Sequence, residues 1–282
     1  MADHLEAYLA EPGLAGEDAR MTDYVHGYGT REQRRLIEQA EHWRQRLIAD
    51  GTTLEPGTRL LEVGCGVGAV LAVLGQEFPG IRLHGVDIEP KQLDFARGHL
   101  ERAGVDATLL RADAHALPFE DESFDHVWMM WFLEHVADPL EVLREARRVL
   151  AQGGAITAIE VDYATAHAEP STPALEALFR AMVQGMAVAG WSDAGTQLPG
   201  WLRSAAFRDI DEGERTFRWQ AEDLEGQARY AADVMESALP SLAQLPGAAE
   251  EELRAGLADL RSLPRHPGAS LGWIVHKSTA TR

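Results

Sequence analysis

The segment Leu60-Leu61-Glu62-Val63-Gly64-Cys65-Gly66-Val67-Gly68 decides how this chain is built. From Arg59 it is short and apolar, as a strand buried on both faces would be, and its alternate glycines lead into the apolar helical stretch Val67 to Phe78. Glycine lets a strand turn abruptly into a helix and brings backbone close to a ligand with no side chain between. The unit then recurs. Ile81 to Asp87 reads as a strand, Pro90 to Ala103 as a helix and Ala107 to Ala112 as a strand, and Phe124 to Met130, Pro139 to Leu150 and Ala155 to Val161 continue the alternation. This order predicts an α/β fold with a doubly wound, mostly parallel, seven-stranded sheet covered by helices on both faces.

On either side of this core, residues 51–165, the pattern changes. Residues 1–50 read as an N-terminal helical lid, with Leu36, Ile37, Ala40, Trp43, Leu47 and Ile48 at helical spacing and Thr30 as N-cap with Gln33 at the capping-box position. Residues 166–262 read as a mainly helical cap with one strand near residues 207–219. Residues 263–282 then bring the chain back through a final strand, Ser270 to His276, that completes the sheet.

Composition narrows the function classes. The 282 residues hold 45 acidic against 26 basic side chains, a net charge of −19, which would repel a phosphate backbone and points away from nucleic acid. Cys65 is the single cysteine, so no intrachain disulfide or zinc-type Cys/His cluster is expected, and no metal. Met1 to Pro12 lack a basic-then-apolar signal pattern, and the longest apolar run, Val127 to Leu133, is far too short for a membrane span. The expectation is a soluble, cytoplasmic protein acting on a small molecule, as a monomer or a homodimer.

The glycine turn suits two cofactor classes. Gly64, Gly66 and Ala69 satisfy the dinucleotide pattern G-x-G-x-x-A, whose helix N-terminus faces a pyrophosphate. Glu62, however, sits two residues ahead of Gly64, where a carboxylate would oppose a pyrophosphate and suit an ammonium. Asp87 ends the next strand, placed to accept hydrogen bonds from ribose hydroxyls in either class. Beyond it the block Ala112-Asp113-Ala114, Leu117-Pro118-Phe119, Asp121 and Ser123-Phe124-Asp125 has no purpose in a dehydrogenase.

Taken in order, E-V-G-C-G-V-G, G-V-D-I, A-D-A-x-x-L-P-F-x-D-x-S-F-D-x-V, L-E-H-V-x-D-P and R-R-V-L-x-x-G-G resemble the small-molecule branch of the class I methyltransferases that use S-adenosylmethionine, over about residues 58–162. The resemblance implies that Glu62 with Gly64, Cys65 and Gly66 holds the methionine part and that Asp87 takes the ribose hydroxyls. It also implies that Ile88 and Gln92 lie at the adenosine, that Asp113 and Ala114 read the adenine edge, and that Met129 lines the sulfonium side. Tyr24 resembles a tyrosine that closes over the cofactor in related enzymes. S-adenosylhomocysteine would be the product.

Methyl transfer from a sulfonium is an in-line displacement with an activated leaving group, so positioning and exclusion of water come first and a base is optional. The candidate bases are His135, Glu134 and Tyr163, with Glu160 and His167 behind them, and Glu134 and His135 equally suit a purely organising role in their loop. Tyr28, Trp131, Phe132 and Trp191 are the candidate acceptor-binding residues, while Trp128 and Met130 are read as core. Three alternatives stay open. They are an NAD(P)-dependent oxidoreductase, a nucleic-acid or protein methyltransferase, and a protein that uses the same cofactor fold without methylating.

Overall fold

The computed structural model describes His26 and residues 29–282. Its centre is the strand β1 (Arg59–Val63), in which Leu60, Leu61 and Val63 are fully buried, as a strand covered on both faces requires. β1 pairs in parallel with β2 (Arg82–Asp87) on one side and β4 (Phe124–Met130) on the other, and β3 (Ala107–Arg111) lies beyond β2. β5 (Leu150–Glu169) follows β4, and β8 (Ser270–Thr281) runs antiparallel beside β5, giving the order β3-β2-β1-β4-β5-β8. The seventh position is shared by two short strands, β6 (Arg208–Asp211) and β7 (Glu214–Gln220), set end to end along β8. The order reverses between β1 and β4, so a crevice opens at the carboxyl ends of the strands there.

The helices complete two apolar layers. α1 (Thr30–Trp43, prolonged by a wide turn to Ile48), α2 (Ala69–Glu77), α3 (Pro90–Ala103) and the cap helices α5 (Pro173–Ala189), α7 (Leu224–Leu242) and α8 (Glu250–Ser262) share one core with Leu60, Trp128 and Met130. α4 (Pro139–Val149) and α6 (Ala194–Ser204) share the other with Leu61, Val63, Val127 and Met129. The two-residue period of β4 thus sends Met129 and Met130 to opposite faces.

Three local expectations are revised. Thr30 is the first helical residue of α1, and Gly29 is its N-cap without a side-chain bond. Gln33 reaches across to Gln92 instead of closing a capping box. β5 extends well past Val161, because the long antiparallel partner β8 supplies hydrogen bonds as far as Glu169. Lys277 of β8 is buried and donates to the carbonyls of Leu47 and Asp50 and to Thr52 Oγ1, meeting the acceptors at the end of the α1 turn. Among the described residues no helix is long and apolar enough to cross a membrane.

Candidate functional site: a cavity at the strand ends

A cavity of about 230 Å³ lies at the carboxyl ends of β1, β2, β4 and β5, walled by α1 and roofed by α5 and α7. At one end is the glycine turn. Gly64 N and Cys65 N both donate to Val86 O at 2.9 Å, which fastens the turn to β2. Gly64 has φ +73°, and a β-carbon there would stand 2.1 Å from the Phe132 ring, so both its conformation and its neighbour demand glycine. Gly66 also lines the cavity, and a β-carbon there would meet nothing within 4 Å; its N–H donates to Asp87 Oδ2 at 2.8 Å, while Glu89 N holds Oδ1 at 2.9 Å.

Glu62 lies in the wall nearly sealed from solvent, with Oε2 lacking a partner among the described residues. Burial, and after it the neighbouring Asp87, holds its carboxyl well above the usual range. Burial likewise raises Asp87 against the backbone bonds that lower it. A pyrophosphate set against these two carboxyls would be repelled, whereas a ligand ammonium would supply the partner that Oε2 lacks. Ile88, Gln92, Asp113 and Ala114 line the same end. Asp113 Oδ1 accepts from His115 N at 2.9 Å and contacts His115 Nδ1 at 2.8 Å, which brings His115 into the wall, a residue the sequence reading passed over. The residues therefore fit the methionine and adenosine parts of S-adenosylmethionine.

At the other end stand Glu134, His135 and Tyr163. Trp131, with φ +50°, turns the chain sharply out of β4, a conformation rare for a bulky residue outside functional sites. Glu160, midway along β5, accepts from Phe132 N at 3.1 Å and Leu133 N at 2.7 Å and so fixes the loop behind that turn. Glu134 Oε1 accepts from Tyr163 Oη at 3.1 Å and lies 3.3 Å from His135 Nε2. When Nε2 carries the proton, Nδ1 is the basic nitrogen. Burial, with the Arg35 cation adding to it, pushes His135 down to about 4, and burial with the nearby Glu160 pushes Glu134 well up. Burial raises Glu160 to about 8 and lifts Tyr163 well above its ordinary value. At neutral pH the imidazole is therefore uncharged.

Two candidate residues fall elsewhere. Met129 is fully buried beneath α4 on the far face of the sheet, and Met130 takes its place in the wall, because strand parity allows only one of the two to face the cavity. Trp191 packs edge-on against Trp201, centroids 5.2 Å apart, and donates from Nε1 to Val136 O at 3.0 Å and from its backbone N to Glu134 O at 2.9 Å. It therefore grips the loop from outside instead of lining the cavity. Gly190 must be glycine for this grip, since a β-carbon would stand 1.9 Å from Glu134 O. Trp131 and Phe132 do line the cavity. Tyr24 and Tyr28 lie outside the described residues.

The wall also holds Arg35, Trp43, Met182, Tyr230, Met235 and Trp273, which the sequence reading did not single out. Arg35 is buried on α1 and forks onto Glu32, Nε to Oε2 at 2.7 Å and Nη2 to Oε1 at 2.5 Å, and it also bonds Gln39. The signal was present: Glu32, Arg35, Gln39 and Trp43 recur at three- and four-residue steps, marking a buried polar stripe able to satisfy itself. Trp43 Nε1 donates to Tyr230 Oη at 3.0 Å, and its ring meets those of Trp131 and Phe217 at 6.0 and 5.0 Å, which joins α1, β4, β7 and α7 in one aromatic cluster.

With this geometry in hand, the comparisons with known proteins fall into place. Residues 61–158, from β1 through β5, match the family model described as a methyltransferase domain. Over this stretch, the β1–β5 part of the sheet, the chain is similar to a methyltransferase domain. The 27-O-demethylrifamycin SV methyltransferase of Amycolatopsis mediterranei is 37% identical over 131 residues, 46% of this chain and 47% of that protein. The chain spans about half the length of the curated relatives it matches. Among solved structures, the cyclase SpnF superposes with a TM-score of 0.55 at 20% identity, covering 99% of this chain and 91% of that one. The phosphoethanolamine N-methyltransferase 2 of Haemonchus contortus, solved with phosphomonomethylethanolamine and S-adenosylhomocysteine, gives 0.53 at 19% identity over 84% of this chain and 52% of that one. Both likenesses concern the fold of the domain and its surrounding helices. No group of three or more metal-holding side chains occurs among the described residues.

Proposed function

We propose that this chain transfers the methyl group of S-adenosylmethionine to a small metabolite. One observation carries the reading: a single cavity joins a carboxyl-walled glycine turn to a buried histidine–glutamate–tyrosine cluster under the cap. Bound there, S-adenosylmethionine supplies an electrophilic methyl on a sulfonium. Glu62 and the Gly64 to Gly66 backbone hold its amino-acid end, Asp87 binds the ribose hydroxyls, Ile88 packs on the adenine, and Asp113 with Ala114 meets the adenine edge. Tyr24 closes over it. Trp131 and Phe132 shape the passage between the two ends and seat the acceptor, with Tyr28 from the N-terminal segment.

On the protein's side the work is mostly positional. Holding the acceptor in line at contact distance from the methyl accounts for most of the acceleration, and the enclosing α1, α5 and α7 keep water from competing. His135 takes the acceptor's proton, oriented by Glu134, which Tyr163 holds in turn. The setting is the cytoplasm, and the strong acidic excess supports a small-molecule rather than a nucleic-acid acceptor.

Calorimetry of S-adenosylhomocysteine against NADP(H), followed by a mass-spectrometric screen of candidate metabolites for the gain of one methyl group, tests the proposal. Tight binding of S-adenosylhomocysteine is expected. Preference for the nicotinamide cofactor would sink it, as would cofactor turnover that yields a rearranged product with no added methyl.

A further inference from the structure

Resting on that reading, we infer that the acceptor is an uncharged, mostly apolar molecule that offers a hydroxyl to the methyl, and not an amine or an acid. The far end of the cavity is walled by Met130, Trp131, Val161, Met182, Met235 and Trp273, a surface of thioether, aromatic and aliphatic groups drawn from β4, β5, β8 and the cap. Such a wall favours an apolar body. The selection against charge lies in how each ionisable neighbour is already engaged.

Arg35 is the cation in this part of the wall, and Glu32 of its own helix meets it with both carboxylate oxygens in a buried fork. An acceptor carboxylate or phosphate would have to displace that partner and separate the buried Glu32 from its arginine. Among the carboxyls, Glu134 is buried and accepts from the Tyr163 hydroxyl, and burial, with Glu160 nearby, opposes its ionisation. Asp162 spends its oxygens on Thr196 Oγ1 at 2.8 Å and Ala164 N at 3.1 Å. An ammonium acceptor would thus stand next to the sulfonium as a second cation, and both carboxyls at this end already accept hydrogen bonds from the protein. Burial, and then Arg35, keeps His26 neutral as well; its Nδ1 lies 2.6 Å from Ser237 Oγ. Tyr230 is neutral at physiological pH, raised to about 12 by burial.

A neutral hydroxyl leaves the charge count of this enclosure unchanged. The acceptor oxygen forms a bond to the methyl carbon as the carbon–sulfur bond breaks, its electron pair staying on a now neutral sulfur. The hydroxyl proton passes to the His135 imidazole, and the positive charge moves from sulfur to imidazolium, where Glu134 Oε1 stands 3.3 Å from Nε2. An amine that arrived protonated would set a second cation beside the sulfonium until it lost that proton.

The test compares three probes of one shape, 2-naphthol, 2-naphthylmethylamine and 2-naphthoate, by calorimetry at neutral pH with S-adenosylhomocysteine saturating. 2-Naphthol is expected to bind about tenfold or more tighter than the cation and the anion. Equal or tighter binding of either charged probe overturns the inference, and so does failure of all three to bind. Glu32→Gln removes the carboxylate that forks onto Arg35 and is expected to shift the naphthoate-to-naphthol ratio by about tenfold toward naphthoate. An unchanged ratio in a variant with normal S-adenosylhomocysteine binding overturns the argument from paired charge. Failure of S-adenosylhomocysteine itself to bind is a failure of the proposed function, and the three-probe ranking is then read on the chain alone.

Discussion

Glu62→Gln separates the cofactor reading from every structural explanation of Glu62, because it moves affinity and stability in opposite directions. In the free protein Glu62 is nearly sealed off, Oε2 has no described partner, and Asp87 stands close enough to oppose its ionisation. Its folded-state pKa lies above the ordinary carboxyl value, so the folded state holds a proton that the unfolded chain has released, and stability falls as pH rises from about 4.5 toward that folded value. Glutamine has nothing to ionise. The variant without ligand should therefore be more stable than the wild type at neutral pH, and the difference should close as pH drops toward 4.5. Against this, a charge-assisted hydrogen bond to a ligand ammonium is worth roughly 1.5–3 kcal/mol, so S-adenosylhomocysteine should bind about ten- to a hundredfold more weakly. A third reading comes from proton release. A ligand ammonium lowers this raised pKa, so calorimetry in buffers of different ionisation enthalpy, at a pH within the titration of free Glu62, should detect a proton leaving the wild type and none leaving the variant. Equal affinity within a factor of about two, or a less stable free variant, would refute the assignment.

Two other substitutions probe the frame around the site. Gly64→Ala places a β-carbon 2.1 Å from the Phe132 ring at φ +73°, whereas at Gly66, φ +48°, it meets nothing within 4 Å. Thermal melts should show the backbone cost of roughly 1–2 kcal/mol in Gly66→Ala and a further 1–3 kcal/mol in Gly64→Ala; equal losses would mean that Phe132 does not pack on the turn. At Lys277, burial lowers the pKa from 10.5 to about 8, so the folded state is penalised below pH 8 and regains roughly 1–3 kcal/mol as pH rises toward 10.5. Denaturant titrations across that range should show the gain in the wild type and its absence in Lys277→Met.

Much of the glycine-turn end of the cavity was legible because local chain chemistry writes it. A turn from β1 into α2 needs glycines, a carboxyl at the end of β2 can reach it from the next strand alone, and both requirements fall within residues 60–88. Where the reading slipped, the deciding fact was long-range. Met129 and Met130 are chemically alike, and only the faces taken by α4 and by the cap decide which one sees the cavity. Trp191 looked like a pocket aromatic, yet the return of α6 beneath β5 aims its indole N–H at Val136 O. Tyr230 and Met235 entered no candidate list, since α7 is apolar along much of its length and nothing local separates its cavity face from its core face. Arg35 was hidden for the opposite reason, as an arginine inside a charged run suggests solvent until its Glu32 and Gln39 partners are seen to bury with it.

The grip of Gly190 and Trp191 on the loop after β4 acts only on the carbonyls of Glu134 and Val136. Main-chain atoms are the same whatever side chains the cap carries. The surfaces of α5 and α7 that line the cavity are therefore free to diverge while a two-residue clasp keeps the loop of Glu134 and His135 in register, which under the proposed function separates the acceptor surface from the proton-accepting group. Choice of acceptor and competence for transfer become separately adjustable properties. A lineage, or an engineer, that preserves the Gly-Trp pair can redraw the first without disturbing the second.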